Sequence, residues 1–221
     1  MHSPRTMPAA IAQLLRQHAV LEDTMFDRVF PASQRFRSWM HWTPVDVATR
    51  AASLLAPTPS RRVLDVGAGV GKLCLIGAAV THATWFGVER DEQMVRAAKV
   101  AATRMQLEQR THFIHGDVTC LDWTMFDSFY LFNPFVEMLA FGTEDALGRR
   151  ERYVAAIDFV QRQLSRAVEG TRVVTYYGFG ADLPPGFELT HREPARDDEL
   201  CLWVRRPSRR RDARNRKSRL P

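Results

Sequence analysis

Apolar positions along this chain follow two rhythms. From Arg61 onward, short apolar runs alternate with longer stretches of helical period, and each rhythm predicts its own element. RVLDV, TWFGV, THFIH, SFYLF and RVVTYY read as buried strands. GKLCLIGAAV and residues 91–104 read as helices, as do residues 150–168, which place Tyr153, Ile157, Val160 and Leu164 on one face. Strands separated by helices of this length predict a doubly wound, mostly parallel α/β sheet covered on both faces. After Pro184-Pro185-Gly186, FELTH and ELCLWVR are joined by a short polar connection, too short for a crossover helix. They predict an antiparallel pair at one edge, for seven strands in all.

Ahead of this alternation, residues 8–23 space Ile11, Leu14, Leu15, His18 and Leu21 as an amphipathic helix. A Pro- and Arg-bearing segment follows, and then Thr43-Pro44-Val45-Asp46 reads as a helix start. Thr43 is the expected cap, Pro44 the first helical position and Asp46 the carboxylate of a capping box. Val47, Ala51, Leu54 and Leu55 carry that helix to Pro57. Residues 1–42 thus form a helical lead-in or lid, 43–205 the main domain, and 206–221 a tail.

Composition sharpens the picture at two points. Apolar residues make up 45% of the chain and charged ones 25%, an ordinary globular balance that permits a sizeable core. The net charge of +6 is unevenly placed: from Arg205 to the end, nine Lys or Arg face one acid, while the preceding 204 residues carry −2. Dense like charge with almost no apolar residue predicts a disordered basic tail, read either as an electrostatic arm for RNA or another polyanion or as a solubilising extension. No apolar stretch is long enough for a membrane span, polar residues interrupt any export signal, and the three separated cysteines suggest neither disulfides nor a zinc site. A cytoplasmic protein without a metal or membrane partner is the expectation, with the oligomeric state open.

Candidate chemistry centres on Val63-Leu64-Asp65-Val66-Gly67-Ala68-Gly69-Val70-Gly71, between the first strand and the helix after it. Glycines suit a loop that turns sharply and lets a ligand lie on bare backbone. A nucleoside triphosphate loop needs Gly-Lys followed by Ser or Thr, and Leu73 stands there instead; a dinucleotide loop needs glycine where Lys72 stands. An acid two residues before Gly-x-Gly-x-Gly resembles the first motif of class I S-adenosylmethionine (SAM)-dependent methyltransferases. Two further acids fall at successive strand ends: Glu89 after TWFGV, and Asp117 in His115-Gly116-Asp117-Val118 after THFIH. The resemblance spans about Thr43 to Arg205 and implies a Rossmann-like fold binding SAM. Its cofactor residues are Asp65, Gly67, Gly69, Gly71, Glu89 at the ribose, Asp117 and Val118 at the adenine, and Thr43 toward the carboxylate. Lys72 is read as neutralising that carboxylate or as solvated. A long helix that many members carry between the fifth and sixth strands is missing.

Phe132-Asn133-Pro134-Phe135 resembles the Asp/Asn-Pro-Pro-Tyr/Phe motif of members that methylate planar amines in nucleic acids or glutamine in protein. It has one proline where that motif has two, which sets the ring one residue early. The resemblance implies that Asn133, Pro134 and Phe135 hold the acceptor; the residue-level alternative is a strand-ending turn. His41-Trp42-Thr43-Pro44 resembles the lead-in of small bacterial methyltransferases, and a weaker similarity is to Dot1-like lysine methyltransferases. Phe26, Phe30, Trp39 and Trp42 make the lead-in aromatic, as a lid or as core; His41, Tyr130 and Glu137 are further candidates. The expected activity is SAM-dependent methyl transfer to an unidentified acceptor, with a nitrogen of protein or nucleic acid favoured. Its rivals are a SAM- or nucleotide-binding adaptor contacting RNA or ribosomes through the tail, and an NAD-dependent oxidoreductase.

Overall fold

The computed structural model describes residues 6–36, 38, 42–140 and 145–207. The seven strands are β1 (Arg62–Val66), β2 (Thr84–Glu89), β3 (Thr111–His115), β4 (Ser128–Leu131), β5 (Arg172–Tyr176), β6 (Phe187–Ala195) and β7 (Asp198–Arg205). They form one sheet in the order β3-β2-β1-β4-β5-β7-β6, parallel from β3 through β5, with β7 antiparallel to both β5 and β6. The expected architecture, including the antiparallel edge pair, is the one observed. No described residue between β5 and β6 is helical.

The longer helices are α1 (Met7–Arg16), α2 (Val45–Leu55), α3 (Lys72–Val80), α4 (Glu92–Met105) and α5 (Ala146–Ser165). The first four cover one sheet face, where Ile11, Leu15, Leu55, Leu75, Trp85 and Met105 share a core. On the other face Ile157, Val160 and Leu164 of α5 pack with Leu64, Leu131 and Val173. Between β3 and β4 the chain crosses without an α-helix; Trp123 covers the sheet there, stacked on Phe129 with centroids 4.7 Å apart. Burial of such rings replaces what a helix face would supply.

Two expected helix boundaries are corrected. The first helix ends at Arg16, because the next turn breaks at His18 in the left-handed region (φ 57°). The second starts at Val45 with Pro44 in the cap position and no side-chain cap of its own. Thr43 therefore does not cap it. The Val45 N–H donates instead to Asp23 Oδ1 at 2.9 Å, a carboxylate from 22 residues earlier. Asp46 forms no capping box; it receives a forked bond from Arg196, at 2.8 Å through Nη2 and 3.1 Å through Nε. Of the aromatic lead-in, Phe26, Phe30 and Trp42 are buried, with Phe30 and Trp42 edge to face at 5.0 Å. Trp39 and His41 lie outside the described residues, as does the tail from residue 208.

Candidate active site

In an open α/β sheet, ligands bind at the carboxyl ends of the strands where the order reverses, and here that point lies between β1 and β4. The loop after β1 is built for close approach. Gly67, Gly69 and Gly71 have φ of 75°, 55° and 76°, all in the region that side-chain-bearing residues avoid. The Gly67 and Ala68 N–H groups donate to Val88 O at 3.0 and 2.9 Å, pinning the loop to β2. A Cβ at Gly71 would run into the Phe113 ring, so that glycine lets α3 sit against β3. A Cβ at Gly69 would meet nothing nearer than Met94 Sδ at 3.8 Å; the space above it is open.

Asp65 lies beneath this loop, 5% exposed, paired in register with Gly87 of β2 and Tyr130 of β4. Its Oδ2 accepts a weak bond from the Cys74 thiol at 3.8 Å. Among the described residues it has no ion-pair partner. Burial pushes its carboxyl up to about 7, opposed by the Cys74 thiol and reinforced by the Glu89 carboxylate.

Glu89 is tied to the loop. Its Oε2 accepts the Gly69 N–H at 3.0 Å, and its Oε1 accepts the N–H groups of Arg90 and Asp91 at 2.7 and 2.9 Å. Oε1 is thereby filled, and Oε2 keeps one lone pair. Asp117 caps the short 3-10 turn after β3, accepting from the Thr119 N–H and hydroxyl at 2.9 and 2.7 Å. Burial raises its carboxyl, but Thr119 and the Arg90 guanidinium outweigh it and hold the group below the usual carboxylate value. Val118, which follows, is buried.

Across the switch point, Asn133 has φ of 40° and its N–H donates to Gly178 O at 2.8 Å. Pro134 packs on the glycine loop: a Cβ at Gly67 would stand 3.4 Å from Pro134 Cβ. The turn is thus held at the loop's edge. Phe135 is buried in the core of the α5 face at 4% exposure. Its ring anchors the segment and presents no open face. Thr43 is also buried, its hydroxyl 3.0 Å from the Tyr130 OH, which links the lead-in to the β4 floor beside Asp65.

Lys72 departs from both expectations held for it. It is 3% exposed, with Nζ 2.6 Å from Asp23 Oδ1 and 2.8 Å from Asp27 Oδ1. The contact to Asp27 is Coulombic rather than an aligned hydrogen bond, and Asp27 accepts the Ser38 hydroxyl through its other oxygen. The lysine neutralises the lead-in and leaves no charge for a ligand. Glu137 opens a one-turn helix beyond Pro134 and is exposed.

Sequence reasoning passed over three rings at this edge: Phe132, Tyr176 and Tyr177. Tyr176 is 3% exposed, and burial, with the nearby Tyr177, Asp197 and Asp198, pushes its hydroxyl up to about 12 against the opposing Arg196. In the sequence, Phe132 stands only as the first letter of the Asn133-Pro134 motif and the two tyrosines as the Tyr-Tyr-Gly that closes β5. Two surface concavities, of about 490 and 350 Å³, flank α5 and share Asp158; no candidate residue lines either. Among the described residues no helix is long and apolar enough to cross a membrane, and no His, Cys, Asp and Glu are grouped to hold a metal ion.

Residues 63–148 match the model of a family described as a methyltransferase domain. No curated protein matches the chain. Among solved structures, it is similar to an RNA methyltransferase from Salinibacter ruber in complex with S-adenosyl-L-homocysteine, at 19% identity and a TM-score of 0.53, covering 77% of this chain and 97% of that one. It is also similar to TrmN from Thermus thermophilus, at 21% identity and a TM-score of 0.57, covering 76% of this chain and 51% of that one. A putative O-methyltransferase from Klebsiella pneumoniae gives 14% identity and a TM-score of 0.55, covering 93% of this chain and all of that one (100%). At these identities the likeness is one of fold. The matched stretch runs from β1 through the glycine loop and the three acids Asp65, Glu89 and Asp117 into α5, so the likeness to a methyltransferase domain covers the carboxyl edge of the sheet.

Proposed function

We propose that SAM lies along the carboxyl ends of β1, β2 and β3, and that its methyl goes to an acceptor nitrogen of protein or nucleic acid held near Asn133. The observation that carries this reading is the Asp65 carboxylate, buried and without a described cation beneath a loop of bare backbone. A site for a cationic ligand needs that arrangement, because a desolvated carboxylate gains most from a charge brought in with the ligand.

When bound, SAM supplies a methyl group already activated by its sulfonium. The remaining work belongs to the chain. Asp65 provides negative potential under the loop, and the unhindered space over Gly69 admits the ligand backbone to backbone. Glu89 retains one lone pair on Oε2 for a ribose hydroxyl, and Asp117 accepts from the adenine amine while Val118 offers an apolar surface. Thr43 closes the site from the lead-in side through its bond to Tyr130. Asn133 orients the acceptor nitrogen with its side-chain oxygen, Pro134 fixes that turn on Gly67, and Phe135 anchors it in the core. Such catalysis rests on orientation and exclusion of water. The basic tail is proposed as an electrostatic arm for RNA, which predicts that deleting residues 206–221 weakens RNA binding at low salt and flattens its salt dependence.

The test separates cofactor from acceptor. Calorimetric titration with SAM should show binding by the wild type and at least a tenfold loss in Glu89→Ala. Asn133→Gly removes the side chain but tolerates the left-handed backbone. It should keep SAM affinity within about twofold while methyl transfer into a cell lysate falls about 100-fold, a loss of the size expected for a positioning group. A wild type that does not bind SAM, or an Asn133→Gly variant with full transfer, overturns the reading.

A further inference from the structure

Two of the five described non-glycine residues with positive φ stand side by side at the carboxyl edge. Asn133 lies two residues past β4 at φ 40°, and Tyr177 directly follows β5 at φ 56°. The Asn133 N–H to Gly178 O bond, 2.8 Å long, ties one turn to the other. A tyrosine is costly in this conformation, and glycine would hold the turn without strain, as Gly178 does one residue later at φ 64°. The strain is therefore spent on carrying a ring at that place. The ring is not used for core packing, since Tyr177 is 41% exposed. It lies at the open end of an aromatic cluster: its centroid is 5.7 Å from Phe132 at an interplanar angle of 32°, and 4.8 Å from Tyr176 at 73°. Phe132 and Tyr176 are themselves 5.0 Å apart. Phe132 is the residue before Asn133, so the cluster borders the turn that packs on the glycine loop.

The geometry points to Tyr177, backed by Phe132 and Tyr176, as the wall that selects the methyl acceptor, and to a flat aromatic or heteroaromatic ring as the acceptor's chemistry. This inference rests on the methyltransferase reading of the same crevice. Offset stacking on a partly exposed tyrosine rewards any planar π face, and Asn133 beside it supplies an acceptor for an amine in that plane. Phe135, which the sequence offered for this role, is sealed in the core. A free planar amine and a nucleobase within RNA share this chemistry.

Methyl-labelled SAM should be incubated with the full chain and a lysate separated into nucleic acid, protein and low-molecular-weight fractions. The labelled product is then identified by mass spectrometry, and the fraction that carries it tells a nucleobase from a small ring. Tyr177→Ala, →Leu and →Phe all bear a Cβ and share the same backbone strain, so they differ only in the ring. Expected are SAM affinities within about twofold of wild type and unchanged melting temperatures. Transfer by Tyr177→Phe should stay within threefold of wild type, whereas Ala and Leu should lose at least tenfold, mainly through KM. Leu equal to Phe, unimpaired transfer by Ala, or label on an acceptor without a ring overturns the inference and leaves the methyltransferase reading standing. A wild type that binds SAM but labels nothing, or does not bind it, removes both.

Discussion

Two buried groups of charge in this molecule differ in how they are answered. Around Lys72, the lead-in supplies two carboxylates, and Phe26 and Trp42 stand within 5.7 and 5.9 Å of the ammonium. Every charge there has its counterpart within the fold. Around Asp65, nothing of the kind is built: the carboxylate has a thiol, a neighbouring acid and a tyrosine, and burial pushes it to about 7. A fold that pairs one buried charge so fully and leaves another bare gives the proposed ligand role of Asp65 a structural contact to be measured against.

The contrast breaks most sharply at Lys72. Lys72→Ala leaves the buried Asp27 without its cation and Asp23 with Arg196 alone. Removing one partner of a buried ion pair costs about 3–5 kcal/mol, read as a lower urea midpoint. Replacement by Met, which fills the volume without charge, should not restore it. Asp65→Asn is expected to do the opposite. SAM affinity should fall at least tenfold, about 1.4 kcal/mol, while stability holds or rises because a desolvated carboxylate is gone. A variant that loses stability but keeps SAM would reverse the two roles.

The pH dependence sharpens the same point. Asp65 is held near 7 against 3.8 for a free carboxyl, so the folded protein binds the extra proton between these values. Its contribution favours folding in acid and is lost as pH rises from about 4 to 7, by at most about 1.4 kcal/mol per unit. SAM, being cationic, prefers the ionised form, so its affinity should rise about tenfold between pH 6 and 8 and stay flat in Asp65→Asn. The smallest effect is expected at Arg196→Ala. Its pairing with Asp46 is exposed at 46% and 62%, so the loss should be about 0.5–1 kcal/mol and shrink with salt in denaturant titrations.

The sheet was readable because its strands are short apolar runs bounded by glycine and polar turns, and the β1 loop because its glycines and Asp65 lie within one local stretch. Glu89 and Asp117 were readable from the order of elements. What escaped was non-local. Lys72 reads as a solvated first helical residue until Asp23 and Asp27, more than forty positions upstream, fold onto it. Thr43 has the composition of a cap, but Asp23 takes the Val45 N–H and leaves the hydroxyl to Tyr130. Phe135 looks like a stacking ring in sequence, and only the packing on α5 shows it sealed. Tyr177 is distinguished by a backbone angle, which no pattern of apolar and polar letters encodes.

Asp23 accepts the helix-starting Val45 N–H, the Lys72 ammonium and, at 3.2 Å, the Arg196 guanidinium of the hairpin between β6 and β7. A carboxylate near one end of the chain is thereby closed by an arginine near the other. During synthesis the first is made long before the second, so this clasp forms only when the last hairpin has left the ribosome. Until then the amino-terminal segment docks without its final tether.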